Sequence, residues 1–200
     1  MKDRPTLDVS HLPAYAFGHR SLLWWGTVGM IVIESMVFAL SVVTYFYLRN
    51  RSSLWPPSAP PPALFYGTLN TVIMLASAIP NEWVKKKAEK EDLRAVRIGL
   101  VICMVLSVAF LVVRVYEFKT LNCKWDTNAY GSSVWAIMGF HTAHLLTDAL
   151  DTAVLTVLMF TGPIEGRRFV DVSENCFYWY FVVLAWVPLY AVVYLAPRFL

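Results

Sequence analysis

Apolar residues in this chain collect in five runs, roughly residues 22–48, 63–84, 95–118, 132–160 and 175–197. Each is about as long as a helix must be, about 20 residues, to cross ~30 Å of hydrocarbon. No water reaches the backbone at that depth, so each run is confined to a helix that closes its own hydrogen bonds. With 58% hydrophobic and only 16% charged residues, the composition agrees. The expected architecture is an all-α, polytopic membrane helix bundle with five transmembrane helices, a single membrane domain over residues 1–200. No stretch is left for a soluble domain.

Basic residues in the short flanks predict the orientation. One side carries eleven: Lys2, Arg4, Arg20, Lys85, Lys86, Lys87, Lys90, Arg94, Arg97, Arg167 and Arg168. The other carries five: Arg49, Arg51, Lys119, Lys124 and Arg198. The N-terminus is therefore expected in the cytoplasm and the C-terminus outside. Residues 1–8 include acids and Pro5 ahead of a run too long for a signal h-region, so the N-terminus is expected to be retained. The net charge of +3 follows the loops and forms no single patch, which argues against nucleic-acid binding. Cys103, Cys123 and Cys176 lack the spacing of a zinc site, and the topology keeps them apart, so no disulfide is expected. Residues 55–62, Trp-Pro-Pro-Ser-Ala-Pro-Pro-Pro, read as a stiff turn, and Pro80 and Pro188 as kinks.

Glu34 stands near the middle of the first run. A carboxyl group at bilayer depth costs at least ~2.5 kcal/mol on insertion scales, so Glu34 should face protein or trapped water and be paired or protonated. The fourth run holds a second polar set. His141, His144, Asp148 and Asp151 follow i, i+3, i+7, i+10 spacing and form one stripe on a helix. Histidines at i and i+3 with an acid further on have the character of a metal or proton-relay site. No further His, Cys or Glu cluster completes a ligand set, however, so a metal site is not expected. A hydrogen-bonded helix interface, with Gly139 and Ala143 as close-packing positions, is the favoured reading of the histidines. Two histidines on one helix face cannot approach a haem iron from opposite sides, and His11 and His19 lie outside the spans.

Arg114 and Glu117, one turn apart toward the outer end of the third run, read as an interfacial ion pair that tethers helices or headgroups. Trp24, Trp25, Trp83, Trp125 and Trp179 read as interfacial anchors. The aromatic stripe of the last run, Tyr178, Trp179, Phe181, Trp186, Tyr190 and Tyr194, reads as packing and lipid contact, since no redox ligand stands beside it.

In order along the chain, Glu34 with Phe38, Leu69-Asn70-Thr71, Glu117-Phe118, Tyr130-Gly131-Ser132, Gly139-Phe140-His141-x-x-His144, and Tyr178-Trp179-x-Phe181-Val182 with Trp186, Leu189-Tyr190 and Tyr194 resemble the landmarks of subunit III of the haem–copper respiratory oxidases, the cytochrome c and quinol oxidases. The resemblance spans most of the chain. Glu34 resembles the membrane glutamate of that family's third helix. The five runs resemble the bacterial forms that lack the first two of seven helices. Two departures stand out: Tyr180 and Val183 replace the family's usual histidine and aspartate in the last helix. Asp148 and Asp151 also occupy positions where a small and an apolar residue are usual.

The resemblance implies a non-catalytic subunit III of a terminal oxidase in a bacterial inner membrane. It would pack beside subunits I and II, with a small subunit IV or other respiratory complexes as further partners, and bind phospholipid. Haem and copper would reside in the partner subunits, with no cofactor or metal in this chain. It would sustain proton uptake and protect the oxygen-reducing site during turnover. The intramembrane candidates are then Glu34, His141, His144, Asp148 and Asp151; the interface and lipid candidates are Asn70, Arg114, Glu117, Trp179, Trp186 and Tyr190. Two other readings stay open: an autonomous small transporter or proton channel, motivated by the acidic stripe, and an accessory protein of a nitric oxide reductase.

Overall fold

The computed structural model describes residues 15–57 and 60–199. The basic residues Lys2 and Arg4, the acids of residues 1–8, His11 and the middle of the proline-rich turn lie outside them. Among the described residues every regular element is helical. A short 3₁₀ turn, Gly18–Arg20, precedes α1 (Leu22–Asn50), α2 (Leu64–Ala88), α3 (Leu93–Lys119), α4 (Ala129–Thr161) and α5 (Gly166–Tyr190). A π-helical turn, Ala191–Leu195, then leads into the short α6 (Ala196–Phe199).

Local chemistry sets the helix ends. Ser21 caps α1 by accepting from the Leu23 amide at 3.2 Å, Asp92 caps α3 by accepting from Ala95, and Asn128 caps α4 by accepting from Gly131 at 2.8 Å. The α2–α3 turn is tight and passes through Glu91 at φ 55°. Hydroxyls on apolar faces turn inward onto their own helix. Thr27, Ser35, Ser41 and Thr44 of α1 each donate to the carbonyl four residues earlier, so these four hydroxyls are satisfied without a partner from outside the helix.

α5 is the central element, buried at Phe169, Trp179, Val182 and Trp186 among others, and it packs against α1, α2 and α4. α2 pairs with α3, α3 with α4, and α4 with α1. α1 is peripheral, with only Phe38 and Tyr45 buried. Large apolar side chains such as Ile33, Ile79 and Leu184 point outward over the whole bundle. Such a surface matches a bilayer and would be anomalous in water.

Five long helices are present, and four of them (α1, α3, α4 and the stretch from Gly166 to Phe199) are by themselves long and apolar enough to cross a membrane. The five-run count therefore overstates the hydropathy of α2. That helix loses apolar character because Asn70, Ser77 and Asn81 lie along its inward face, where they are buried against α3 and α5, and because it ends in Lys85, Lys86 and Lys87.

Two packing expectations are corrected. A Cβ on Gly139 would meet nothing within 4 Å and Ala143 is exposed, so neither is a close-packing position. The close approaches fall at Gly67, where a Cβ would lie 2.5 Å from the Tyr194 ring, and at Gly99, against Val84. Trp179 is no interfacial anchor: it is buried, stacked on Phe110, and donates to Ser77 Oγ at 3.0 Å. Trp25 and Trp125 are exposed.

Gly67→Ala is expected to destabilise the bundle by about 1–3 kcal/mol, the usual cost of overpacking. Gly139→Ala should be neutral in the same thermal unfolding assay of the purified protein, because its Cβ enters open space.

Candidate functional site

Arg114 and Glu117 sit one turn apart on α3, their charged groups 2.9 Å apart and each side chain only 1% exposed. Glu117 Oε2 also accepts from Asn70 Nδ2 on α2 at 3.0 Å, and its Oε1 accepts from the Tyr194 hydroxyl at 2.6 Å. The Arg114 guanidinium lies 4.1 Å from the Trp186 ring centre and reaches His141 Nδ1 on α4 at 3.2 Å. His141 Nε2 meets the Val182 carbonyl at 3.1 Å. A carbonyl only accepts and a guanidinium only donates, so His141 is the Nε2–H tautomer with Nδ1 as acceptor. Both ring nitrogens are committed to helix joints.

These contacts relocate the expected interface group. Asn70, Arg114, Glu117, Trp179 and Trp186 are buried inside the bundle and do not line a lipid surface, and only Tyr190 is half-exposed, its hydroxyl 2.7 Å from Thr68. The physical reason is that their polar atoms need partners that hydrocarbon cannot offer. Trp186 Nε1, for example, donates to Thr71 Oγ1 at 2.8 Å.

Glu34 forms a separate cluster. From α1 its Oε2 accepts from the Tyr178 hydroxyl of α5 at 2.8 Å, and its Oε1 lies 3.5 Å from His144 Nε2 of α4. His144 Nδ1 donates to the Phe140 carbonyl at 2.6 Å. With that proton fixed, Nε2 can donate to Glu34 only if the ring takes up a second proton. Phe38 packs over the His144 ring at 4.9 Å and limits access from one side.

The four-residue stripe divides. At 100° per residue, positions 141 and 148 point within about 20° of each other, while 144 and 151 are rotated by about 60–80° toward the helix edge. His141 and Asp148 are accordingly buried, His144 faces Glu34, and Asp151 is exposed. Among the described residues no group of three or more His, Cys, Asp or Glu could hold a metal ion.

Sequence reasoning missed the tyrosines as carboxylate partners. Tyr178 and Tyr194 were indistinguishable in the aromatic stripe from packing residues. Tyr180 donates to Glu82 Oε2 on α2, and Glu82 also pairs with Lys86 at 3.0 Å. A polar bridge between α2 and α5 therefore runs through Tyr180.

The family model described as cytochrome c oxidase subunit III matches residues 8–197. The chain belongs to that family. It is 27% identical over 188 residues to cytochrome c oxidase subunit 3 of Thermostichus vulcanus, covering 92% of each chain. It is 26% identical over 196 residues to the Synechocystis protein of the same name, covering 94% of this chain and 83% of the relative. It is 30% identical over 177 residues to the probable cytochrome c oxidase subunit 3 of Mycobacterium leprae, covering 84% and 85%.

Removing one partner of a buried ion pair leaves the other uncompensated. Glu117→Gln is therefore expected to destabilise the protein by about 3–5 kcal/mol. The double variant Arg114→Met/Glu117→Gln should lose less than the sum of the two single changes. Chemical or thermal unfolding of the four proteins measures this, and strict additivity would contradict the coupling.

Proposed function

We propose that this chain is the non-catalytic subunit III of a haem–copper terminal oxidase, seated beside subunits I and II in a bacterial plasma membrane. The family match over nearly the whole chain carries this reading. On this reading the oxygen chemistry belongs to the complex, with the haem and copper in the partner subunits. The names of the relatives favour cytochrome c as the electron donor.

The interior supports a supporting role. The Arg114–Glu117 network spends its polar groups on joining helices, and both nitrogens of His141 are used in that way. Nothing in this arrangement requires a substrate. The excess of basic residues on one side favours a cytoplasmic N-terminus and an external C-terminus. Between α1 and α4 runs an apolar groove of about 310 Å³ lined by Val37, Leu40, Thr44, Ala136 and Phe140, which suits an acyl chain of a bound phospholipid.

Glu34 is the residue proposed to matter during turnover. It is the one carboxylate that ties peripheral α1 to both α4 and α5, through His144 and Tyr178. Glu34→Ala is expected to leave the initial rate of oxygen consumption close to wild type while activity decays faster during sustained turnover. Immediate and complete loss of activity would refute a supporting role.

Affinity purification of the tagged chain in mild detergent tests the assignment directly. Recovery with a haem- and copper-containing subunit I, seen by mass spectrometry and a reduced-minus-oxidised spectrum, is the expected outcome. Recovery of the chain alone and colourless, under conditions that keep other respiratory complexes whole, would overturn it.

A further inference from the structure

The half of the bundle formed by α2 to α5 encloses a small cavity that neither network above uses. Its volume is about 20 Å³, and one water requires ~10–15 Å³ measured in this way. The polar part of its wall comes from Ser77 and Asn81 on α2, Ser107 on α3, Asp148 and Thr152 on α4, and Asn175 on α5.

Most of these groups already have partners. Ser77 Oγ donates to the Met74 carbonyl at 2.6 Å and accepts from Trp179 Nε1 at 3.0 Å. Asn81 Nδ2 donates to the Cys176 carbonyl at 2.9 Å, and Asn175 Nδ2 donates to Thr152 Oγ1 at 2.9 Å. Two groups are left over. Asp148 Oδ1 is buried with no hydrogen-bond partner, and Ser107, a buried residue, makes no side-chain hydrogen bond to any described residue. Each such orphan costs about 1–3 kcal/mol if it stays unsatisfied.

The charge of the wall narrows the choice of occupant. No Lys, Arg or His contributes to it, and Cys103 is the only other ionisable side chain in the lining. A carboxylate at this depth without a cation is strongly disfavoured, whereas a carboxylic acid brings one donor and one acceptor. A water placed here would meet the Asp148 carboxyl, the Ser107 hydroxyl and the side-chain oxygen of Asn81 or Asn175. That is about the three hydrogen bonds a buried water usually makes.

We propose that this cavity is a water-binding site, in which one ordered water joins the neutral carboxyl of Asp148 on α4 to the Ser107 hydroxyl on α3. Asp151, the next acid along α4, is exposed and contributes nothing to the cavity wall. The two acids of the stripe therefore serve different environments.

The test uses the membrane complex in which the chain is purified, at a resolution that shows ordered water, with wild type, Asp148→Asn and Asp148→Leu. Wild type and Asp148→Asn should show one water between position 148 and Ser107, and Asp148→Leu should lose it. The infrared difference between wild type and Asp148→Asn should contain the C=O stretch of a protonated carboxyl. Because Asp148→Asn preserves shape and polarity, this comparison survives even if Asp148→Leu fails to assemble. An empty wild-type cavity, carboxylate bands in place of the acid band, or density ringed by five or six oxygens at cation distances would each overturn the proposal.

Discussion

The buried Arg114–Glu117 pair is the constraint on which the rest of the bundle depends. Moving two charges out of water costs several kcal/mol per ion even after relaxation, and their mutual attraction offsets this only when the remaining donors and acceptors are also satisfied. Here most of the completing groups come from different helices, Asn70 from α2, His141 from α4, Trp186 from α5 and Tyr194 from the π turn that follows it, while Arg114 Nε and Asn70 Oδ1 stay without a hydrogen bond. The pair on α3 thus fixes how each neighbour is rotated about its own axis. Apolar contacts alone would not do so, because lipid is as good a partner for leucine as another helix is.

The path of the chain around that pair depends on a π turn and a glycine. α5 carries Pro188 within it and ends at Tyr190, after which the backbone widens into the π turn Ala191–Leu195. The wider turn carries Tyr194 toward Glu117. Gly67 on α2 makes the approach feasible, since any larger residue would occupy the space of the Tyr194 ring. A widened turn and a missing side chain, far apart in sequence, therefore serve one hydrogen bond.

The sequence shows the helices plainly because hydropathy over about twenty residues is a strong signal. It shows depth poorly. Arg114 and Glu117 lie near the end of an apolar run, which suggests a headgroup contact, yet the last helix extends from Gly166 through the π turn and covers them. The spacing of His141, His144, Asp148 and Asp151 is legible as a stripe, whereas its division is not. That division depends on where α1, α3 and α5 pack around α4, and no local pattern carries this information. Tyr178, Tyr180 and Tyr194 illustrate the same limit. A tyrosine in an aromatic stripe has the same spacing whether its hydroxyl meets a carboxylate or lipid, and all three meet carboxylates: Glu34, Glu82 and Glu117.

The position of Glu34 is best understood from how little else holds α1. That helix has 29 residues and buries only Phe38 and Tyr45, and its serines and threonines spend their hydroxyls on its own backbone. Packing without a hydrophobic driving force gives such a helix little reason to stay in one register. Glu34 provides one, since its two oxygens reach two different helices through Tyr178 and His144, and the alternative is a carboxyl facing hydrocarbon at a cost of at least ~2.5 kcal/mol. The feature that makes Glu34 costly in an isolated helix is the one that makes it an effective latch in the bundle. The latch lies on the same α1–α4 seam as the apolar groove, so whatever fills that groove packs beside the joint that holds α1.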